Sequence, residues 1–255
     1  MLATDTEEAG FSAAYAKLKY AQKGSKGAPA YSLYVNRPVG RVIAAAAFQP
    51  GLTPNQLTYI SAVFSFAGIV ALAVLPPTWL GGSLVCLALV LGYALDSADG
   101  QLARLRGRGS VVGEWLDHMI DAVKNSSLHL AVLIAAYRYF ELPNDAWLLV
   151  PMAFTVVSAV HFFGMILVDQ LGKNRGSGNS PTAEAPKRAD TIRSLMKIPT
   201  DYGVLCLIFA LWGAPSIFFF VYILCALGST GYLCLVLVKW RSDMARLDVL
   251  DRTAP

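Results

Sequence analysis

Four aspartates lie between residues 96 and 121, within otherwise strongly apolar sequence. Asp96 and Asp99 are close to the end of one apolar run, and Asp117 and Asp121 are close to the start of the next. Residues three or four apart share one face of a helix, so each pair is predicted to point in one direction. An aspartate at the centre of a membrane helix costs roughly 2.5–3.5 kcal/mol, so the four require compensating charge. Arg104 supplies one positive charge, and the simplest remaining neutraliser is a divalent cation with oxygen ligands.

The composition indicates an all-α polytopic membrane protein. Of 255 residues, 55% are hydrophobic and only 15% are charged, which is too apolar for an ordinary soluble domain. The net charge of +4 is modest, and the basic residues flank apolar segments. Membrane lipids are therefore the expected partners, and nucleic acid is not. The first residues lack a basic stretch followed by an apolar one, so no cleaved signal peptide is expected.

Six apolar segments are predicted to span the membrane, at about 55–76, 80–104, 113–138, 145–171, 200–213 and 215–239. The first has a clear start signal: Thr53 is the expected N-cap, Pro54 occupies the first helical position, and Gln56 completes a capping box. The fifth is short, and its start is predicted as early as Ile198. Residues 172–196 are rich in glycine, serine, proline and charge, which favours a flexible loop that leads into a short amphipathic piece.

Three regions are predicted along the chain. Residues 1–50 form a cytosolic arm, frayed or partly helical up to residue 29, followed by an N-terminal interfacial amphipathic helix at 28–49. An ordinary soluble helix packed on the protein is the alternative for this second part. Residues 51–240 form the six-helix membrane domain, and residues 241–255 form a cytosolic tail.

The positive-inside rule sets the predicted orientation. With the N-terminus in the cytosol, all 21 lysines and arginines except Lys124 and Arg138 lie on the cytosolic side. Both termini are then cytosolic, and the aspartates meet at the cytosolic face. The predicted location is the cell membrane, with the site open to the cytosol and to the lipid leaflet.

The acidic stretch resembles the signature of the CDP-alcohol phosphatidyltransferases. The pattern D-x2-D-G-x2-A-R-x8-G-x3-D-x3-D is met without a gap, and its eight fixed positions are Asp96, Asp99, Gly100, Ala103, Arg104, Gly113, Asp117 and Asp121. The hydropathy layout extends the resemblance over most of the chain. The family also has an interfacial helix ahead of its membrane core, and it often forms homodimers.

The resemblance implies a role for each of these residues. Asp96, Asp99, Asp117 and Asp121 are expected to hold divalent metal, Mg2+ or Mn2+ and as two ions, because their ligand atoms are all oxygens. Asp121 is also expected to be the catalytic base. The nucleotide is expected to contact a further set of residues: Asn55, Thr58, Gly100, Ala103, Arg104 and Gly113. For Asn55 and Thr58, a simple helix start is the alternative.

The function predicted from the resemblance is transfer of a substituted phosphate group from a CDP-linked alcohol to a second alcohol, with release of CMP, in phospholipid biosynthesis. CDP-diacylglycerol is the expected donor, and inositol phosphate, glycerol phosphate or serine are the candidate acceptors. A soluble CDP-linked head group is the alternative donor. A cation-binding transporter is the alternative outside enzymes, because isolated intramembrane carboxylates would also suit it.

Several charged residues near this stretch have two open interpretations. Lys124 and Asn125 either tune the site or make structural hydrogen bonds. Arg106 and Arg108 either grip an anionic group or form a basic turn. A further group at the entry to the fifth segment is a candidate lining of the acceptor pocket: Arg188, Arg193, Lys197 and Asp201. The histidines, at positions 118, 129 and 161, are expected to pack against neighbours without a catalytic role.

Overall fold

A computed structural model describes residues 2–20, 28–107, 109–174 and 200–253 of the protein. Within these ranges the chain is helical and contains no strand. The helices are α1 (Leu2–Tyr20), α2 (Arg37–Phe48), α3 (Pro54–Val74), α4 (Trp79–Leu105), α5 (Val111–Tyr139), α6 (Leu149–Asn174), α7 (Tyr202–Ile208) and α8 (Pro215–Thr253). A π-helical turn, Ser32–Asn36, leads into α2, and 3-10 turns precede α6 and follow α7. The predicted all-α membrane fold is confirmed.

Side-chain caps fix where the central helices begin. The Thr53 hydroxyl accepts a hydrogen bond from the Gln56 amide at 3.2 Å, and the Gln56 side chain accepts one from the Thr53 amide at 2.8 Å. This is the predicted capping box. At the start of α4, the Thr78 hydroxyl accepts a hydrogen bond from the Gly81 amide, and at the start of α5, the Ser110 hydroxyl accepts one from the Gly113 amide. Gly107, with φ of 71°, turns the chain between α4 and α5 in a conformation that favours glycine.

Five described helices are long and apolar enough to cross a membrane: Pro54–Val74, Trp79–Leu105, Val111–Tyr139, Asp145–Lys173 and Pro215–Asp248. They correspond to five of the six predicted segments. The remaining predicted segment corresponds to a shorter apolar helix, Tyr202–Leu211, which follows directly after the undescribed residues 175–199. A total of six spans therefore stays a prediction.

The N-terminal arm was predicted to be frayed or partly helical, and its described part is helical. Residues 2–20 form one continuous helix, and α1 buries Ala14 and Leu18 in a cluster with residues of α2 and α4. Arg41 of α2 stacks over the Tyr15 ring at 4.1 Å and donates a hydrogen bond to its hydroxyl. A few apolar residues at helical spacing are enough to hold α1 in place, because α2 and α4 offer an apolar surface on which they can be buried.

The last helix continues beyond the apolar segment predicted at residues 215–239. The apolar segment ends near residue 239, but α8 continues to Thr253, so the predicted tail at 241–255 is mostly a helical extension. Lys239 and Asp243, four residues apart, form an ion pair at 3.7 Å on this extension. Such pairs support an exposed helix after its apolar sequence has ended.

Helices α3 and α4 pack against each other with almost no space between their backbones. Ser61 donates a hydrogen bond to the carbonyl of Gly92 at 2.7 Å, and a Cβ atom on Gly92 would overlap the Ser65 hydroxyl. Small residues at a helix contact permit this close approach in membranes. The contact holds the first half of the acidic motif, which lies further along α4, against the start of α3.

Four elements meet at one end of the helix bundle. Helix α4 ends there, α3 and α5 begin there, and α7 begins beside them. Asp201 caps α7 by accepting a hydrogen bond from the Gly203 amide at 3.1 Å, and it accepts another from the Tyr31 amide at 2.8 Å. Gln101 of α4 donates to the carbonyl of Arg37 at 3.0 Å. The helix α2 is thus attached to both α4 and α7 at the end that carries the acidic motif.

Replacement of Gly92 by alanine tests the close α3–α4 contact. We expect Gly92→Ala to lower the free energy of unfolding by about 1–3 kcal/mol, because the new methyl group overpacks the contact with Ser65. Thermal unfolding of the purified protein in detergent measures the change. Gly231→Ala in α8 is the control, because nothing lies within 4 Å of its Cβ position. Equal stability of the two variants would contradict the packing described.

Candidate active site

Three carboxylates from α4 and α5 converge at the end of the bundle. Asp96 of α4 and Asp117 and Asp121 of α5 each offer an oxygen, and these atoms lie within 4.8 Å of one another. The predicted pairing of the two halves of the motif is therefore present in the fold. The sequence places Asp117 and Asp121 one turn apart, and the α4–α5 turn returns α5 beside Asp96.

Lys124 lies among these carboxylates. Its Nζ is 2.5 Å from Oδ1 of Asp121 and 3.2 Å from Oδ1 of Asp96, and its side chain is only 3% exposed. The Tyr202 ring of α7 lies 5.4 Å from the same Nζ. Of the two interpretations of Lys124, direct contact with the site is the one that the geometry supports. Its spacing of three from Asp121 was the available sequence signal, but the contact with Asp96 depends on the tertiary fold.

Asp99 lies beside this group and faces α3. Its side chain is buried, and its Oδ2 accepts a hydrogen bond of 2.5 Å from the hydroxyl of Thr58. Asp99 also interacts electrostatically with Asp96 and Asp117. It is not one of the three residues whose oxygens share the 4.8 Å cluster. The role of Asp99 as a metal ligand stays a prediction.

The residues predicted to contact the nucleotide surround the α3 side of the cluster. The amide oxygen of Asn55 is 2.9 Å from the Cβ position of Gly113, so the start of α3 touches the start of α5. Arg104 is exposed and interacts electrostatically with Asp99 and with Arg37 of α2. Gly100 and Ala103 lie between Asp99 and Arg104 on the same helix, α4. Arg37 was not predicted from the sequence, because only the packing of α2 on α4 brings it here.

A cavity of about 250 Å³ opens on the opposite side of the aspartates. Asp96, Asp121 and Lys124 form one end of its lining. Residues of α6, α7 and α8 complete it, and its polar lining includes Asn125, Ser158, Thr200, Asp201 and Ser229. The cavity extends along α5 as far as His129, two turns beyond Asp121. Ser158 and Ser229 could not be predicted as lining residues, since single serines on apolar helices are common.

Asp201 is the described member of the predicted acceptor-pocket group. It lines the cavity, and its carboxylate also caps α7. Asp201 therefore has a structural role at the start of α7 as well as a place in the cavity wall. Arg188, Arg193 and Lys197 lie outside the described residues, as do Arg108 and most of the predicted 172–196 loop. Arg106 donates a hydrogen bond of 2.7 Å to the carbonyl of Leu52, which favours its interpretation as part of a structural turn.

The histidines pack against neighbours, as expected. The Nδ1 atom of His129 lies 2.7 Å from the Tyr222 hydroxyl, and the imidazole stacks on Phe154 with ring centroids 3.9 Å apart. His161 stacks on Trp240 at 5.9 Å. His118 lies 4.0 Å from Glu114 on the same helix. None of these contacts involves an aspartate of the cluster.

The donor set fits a hard divalent cation. The three clustered ligands are all carboxylates, and oxygen ligands suit Mg2+ and Mn2+. Two of these carboxylates, Asp96 and Asp121, hold Lys124 as their positive partner in the structure. A buried cation placed between them shows that this volume requires positive charge. The residues present therefore fit the metal that the acidic motif implies.

A family comparison identifies the chain. The family model described as CDP-alcohol phosphatidyltransferase matches residues 51–239, which is well over half of the 255 residues. The chain belongs to the CDP-alcohol phosphatidyltransferase family. Members of this family use divalent metal ions, in agreement with the acidic cluster.

Two curated relatives match shorter parts of this CDP-alcohol phosphatidyltransferase. An archaetidylinositol phosphate synthase from Aeropyrum pernix is 31% identical over a region that covers 34% of the chain and 50% of the relative. A phosphatidylinositol phosphate synthase from Corynebacterium glutamicum is 36% identical over 32% of the chain and 35% of the relative. The aligned region thus spans half the length of one relative and about a third of the other.

The hydrogen bond from Thr58 to Asp99 can be tested without disturbing the packing. We expect Thr58→Val to weaken Mn2+ binding about 10–100-fold, because second-shell partners orient ligating carboxylates. Thr58→Ser, which keeps the donor, is expected to bind Mn2+ as the wild type does. Calorimetric titration of the purified protein with Mn2+ measures both.

Thr230→Val is the matched control for Thr58→Val. The hydroxyl of Thr230 donates to the carbonyl of Ala226 within α8 at 2.7 Å. The hydroxyl of Thr58 makes the same kind of bond within α3, to the carbonyl of Pro54 at 3.1 Å. Unchanged Mn2+ affinity in Thr58→Val would remove this hydroxyl, and with it Asp99, from the metal site.

Proposed function

We propose that the protein is a membrane phosphatidyltransferase that transfers a phosphatidyl group from CDP-diacylglycerol to inositol phosphate and releases CMP. The observation that carries this proposal is the convergence of Asp96, Asp117 and Asp121 beside a polar cavity, within the family motif. The names of both relatives describe synthases of a lipid-linked inositol phosphate. Inositol phosphate is therefore preferred here over glycerol phosphate and serine.

The size and lining of the cavity support a small polar acceptor. Its volume of about 250 Å³ is below the roughly 300–1,000 Å³ of sites for drug-sized ligands, so it is too small for a two-chain lipid. An amide and several hydroxyl side chains line it, among them Asn125, Ser158 and Ser229, and such groups suit a polyol. The acyl chains of the donor would instead remain in the bilayer beside the exposed apolar helices.

The two sides of the aspartate cluster suggest separate places for the two substrates. Thr58, Asp99 and Arg104 lie towards α3 and α2, where a nucleotide diphosphate would find the guanidinium groups of Arg104 and Arg37. Asp121 faces the cavity on the other side. A donor bound on the first side and an acceptor bound on the second would meet at the carboxylates, as in-line transfer requires.

Asp121 is the residue that we assign to proton transfer. Its carboxylate would take the proton from the acceptor hydroxyl as the acceptor oxygen forms a bond to the phosphorus on the lipid side of the diphosphate. The bond from that phosphorus to the bridging oxygen then breaks, and CMP leaves with the bond's electron pair. Asp96, Asp99 and Asp117 would hold Mg2+ or Mn2+, as two ions, with Asp121 also within reach of the metal. When bound, these ions would neutralise the charge on the diphosphate.

The proposed setting is the cell membrane with both termini in the cytosol. The distribution of lysine and arginine supports this orientation, and it places the aspartates on the side where the soluble nucleotide and inositol phosphate are available. A homodimer with one site in each subunit stays a prediction from the family.

A CMP-release assay tests the proposed function. Purified protein with Mn2+, CDP-diacylglycerol and inositol phosphate is expected to release CMP, and omission of the acceptor is expected to abolish the release, because transfer needs an attacking hydroxyl. Mass spectrometry of the lipid product identifies the acceptor. Absence of CMP release across a broad panel of donors and acceptors would contradict the enzyme assignment.

Asp121→Asn tests the assigned base in the same assay. We expect turnover to be lost while Mn2+ binding is largely retained, because an amide can still occupy the site but cannot take the proton. Asp169→Asn is the matched control, since Asp169 lies on α6 and pairs with Lys173 at 2.7 Å, away from the cluster. An active Asp121→Asn variant would exclude Asp121 as the base.

A further inference from the structure

The environment of Lys124 differs from that of an ordinary surface lysine. Its side chain is 3% exposed, and its Nζ contacts two carboxylates that come from different helices. Both of these residues, Asp96 and Asp121, belong to the cluster proposed to bind metal. Lys124 lies outside the eight fixed positions of the motif, so the motif does not account for a cation at this place.

The ammonium and a divalent metal would compete for the same two carboxylates, Asp96 and Asp121. Mg2+ binds carboxylate oxygens at about 2.0–2.1 Å, and Nζ of Lys124 is already 2.5 Å from Oδ1 of Asp121. A metal held by these two carboxylates would lie close to the ammonium and tend to displace it, since two cations this close repel each other. The Tyr202 ring, 5.4 Å from Nζ, and the adjoining cavity offer the displaced ammonium a place that still favours a cation.

We propose that Lys124 is a built-in counter-ion that occupies Asp96 and Asp121 in the metal-free protein and is displaced when the metal binds. The lysine stabilises the fold while the site lacks metal, because neighbouring carboxylates that are largely withdrawn from water destabilise the fold when they have no positive partner. It also holds Asp121, the assigned base, in an ion pair until the metal has bound. This inference rests on the proposed function only for the role of Asp121, and the competition itself concerns metal binding.

Lys124→Met tests the competition, because methionine has a similar length and no charge. The probe is Mn2+ alone, titrated into the full-length protein in detergent and followed by calorimetry and by the unfolding temperature. We expect the variant to bind Mn2+ about tenfold more tightly than the wild type, a common size for coupling between two binding events. We also expect a lower unfolding temperature in EDTA and a larger rise on addition of Mn2+.

Two further variants control for charge and for the loss of a lysine elsewhere. Lys124→Arg keeps the positive charge and is expected to bind Mn2+ like the wild type. Lys173→Met removes a half-exposed lysine that pairs with Asp169 at 2.7 Å and Glu114 at 3.8 Å, and it is expected to leave Mn2+ affinity unchanged. Affinity of Lys124→Met equal to or weaker than that of the wild type would overturn the proposal.

The folding behaviour of Lys124→Met provides a second test of the counter-ion role. A variant that aggregates in EDTA but is recovered when it is purified with Mn2+ supports the counter-ion role, because the metal then replaces the missing charge. A variant that fails to fold even with saturating Mn2+ overturns it, since the lysine would then be required for packing alone. Tighter Mn2+ binding by Lys124→Met, together with no CMP release by the wild-type protein from any donor, would uphold this inference and reject the proposed function.

Discussion

Electrostatic balance at one end of the helix bundle is the constraint on which the structure depends. Three carboxylates from two helices share a volume less than 5 Å across, and a fourth lies beside them. The fold supplies one internal cation, Lys124, and it surrounds the group with hydrogen-bond donors such as Thr58. Such a concentration of negative charge suits the divalent metal ions that members of this family use.

The surrounding helices hold this end in place through contacts that reach the N-terminal region. Tyr31 stacks on Tyr93, Tyr93 lies edge-on to Tyr202, and the Tyr202 ring faces Lys124. Asp201 joins the same region by its hydrogen bond to the Tyr31 amide. The helix α2 and the short α7 are thus connected to the carboxylate cluster by a continuous series of packed side chains. A movement of Lys124 would therefore alter the packing of side chains that leads to the helix predicted to lie at the membrane surface.

Local signals in the sequence predicted the elements and the convergence of the motif. Thr53 and Gln56 define the start of α3 because a capping box is a short-range feature, and the spacing of the aspartates places each pair on one helix face. Long-range features were not accessible. The contact of Lys124 with Asp96 and the presence of Arg37 beside Arg104 depend on how α4 packs against α5 and α2. The sequence left the arm at residues 2–20 as frayed or partly helical, because the burial of Ala14 and Leu18 depends on a partner surface that only the fold supplies.

The binding of divalent metal between α4 and α5, at the aspartate cluster, is the claim on which the other proposals depend. Anomalous difference density from crystals of the protein grown with Mn2+ tests it most directly, because the signal locates the metal independently of activity. We expect a peak within coordination distance of carboxylate oxygens of Asp96, Asp117 and Asp121, with the Lys124 ammonium moved away from them. Crystals that contain Mn2+ but show no peak at these aspartates, with Lys124 still paired to Asp121, would contradict it.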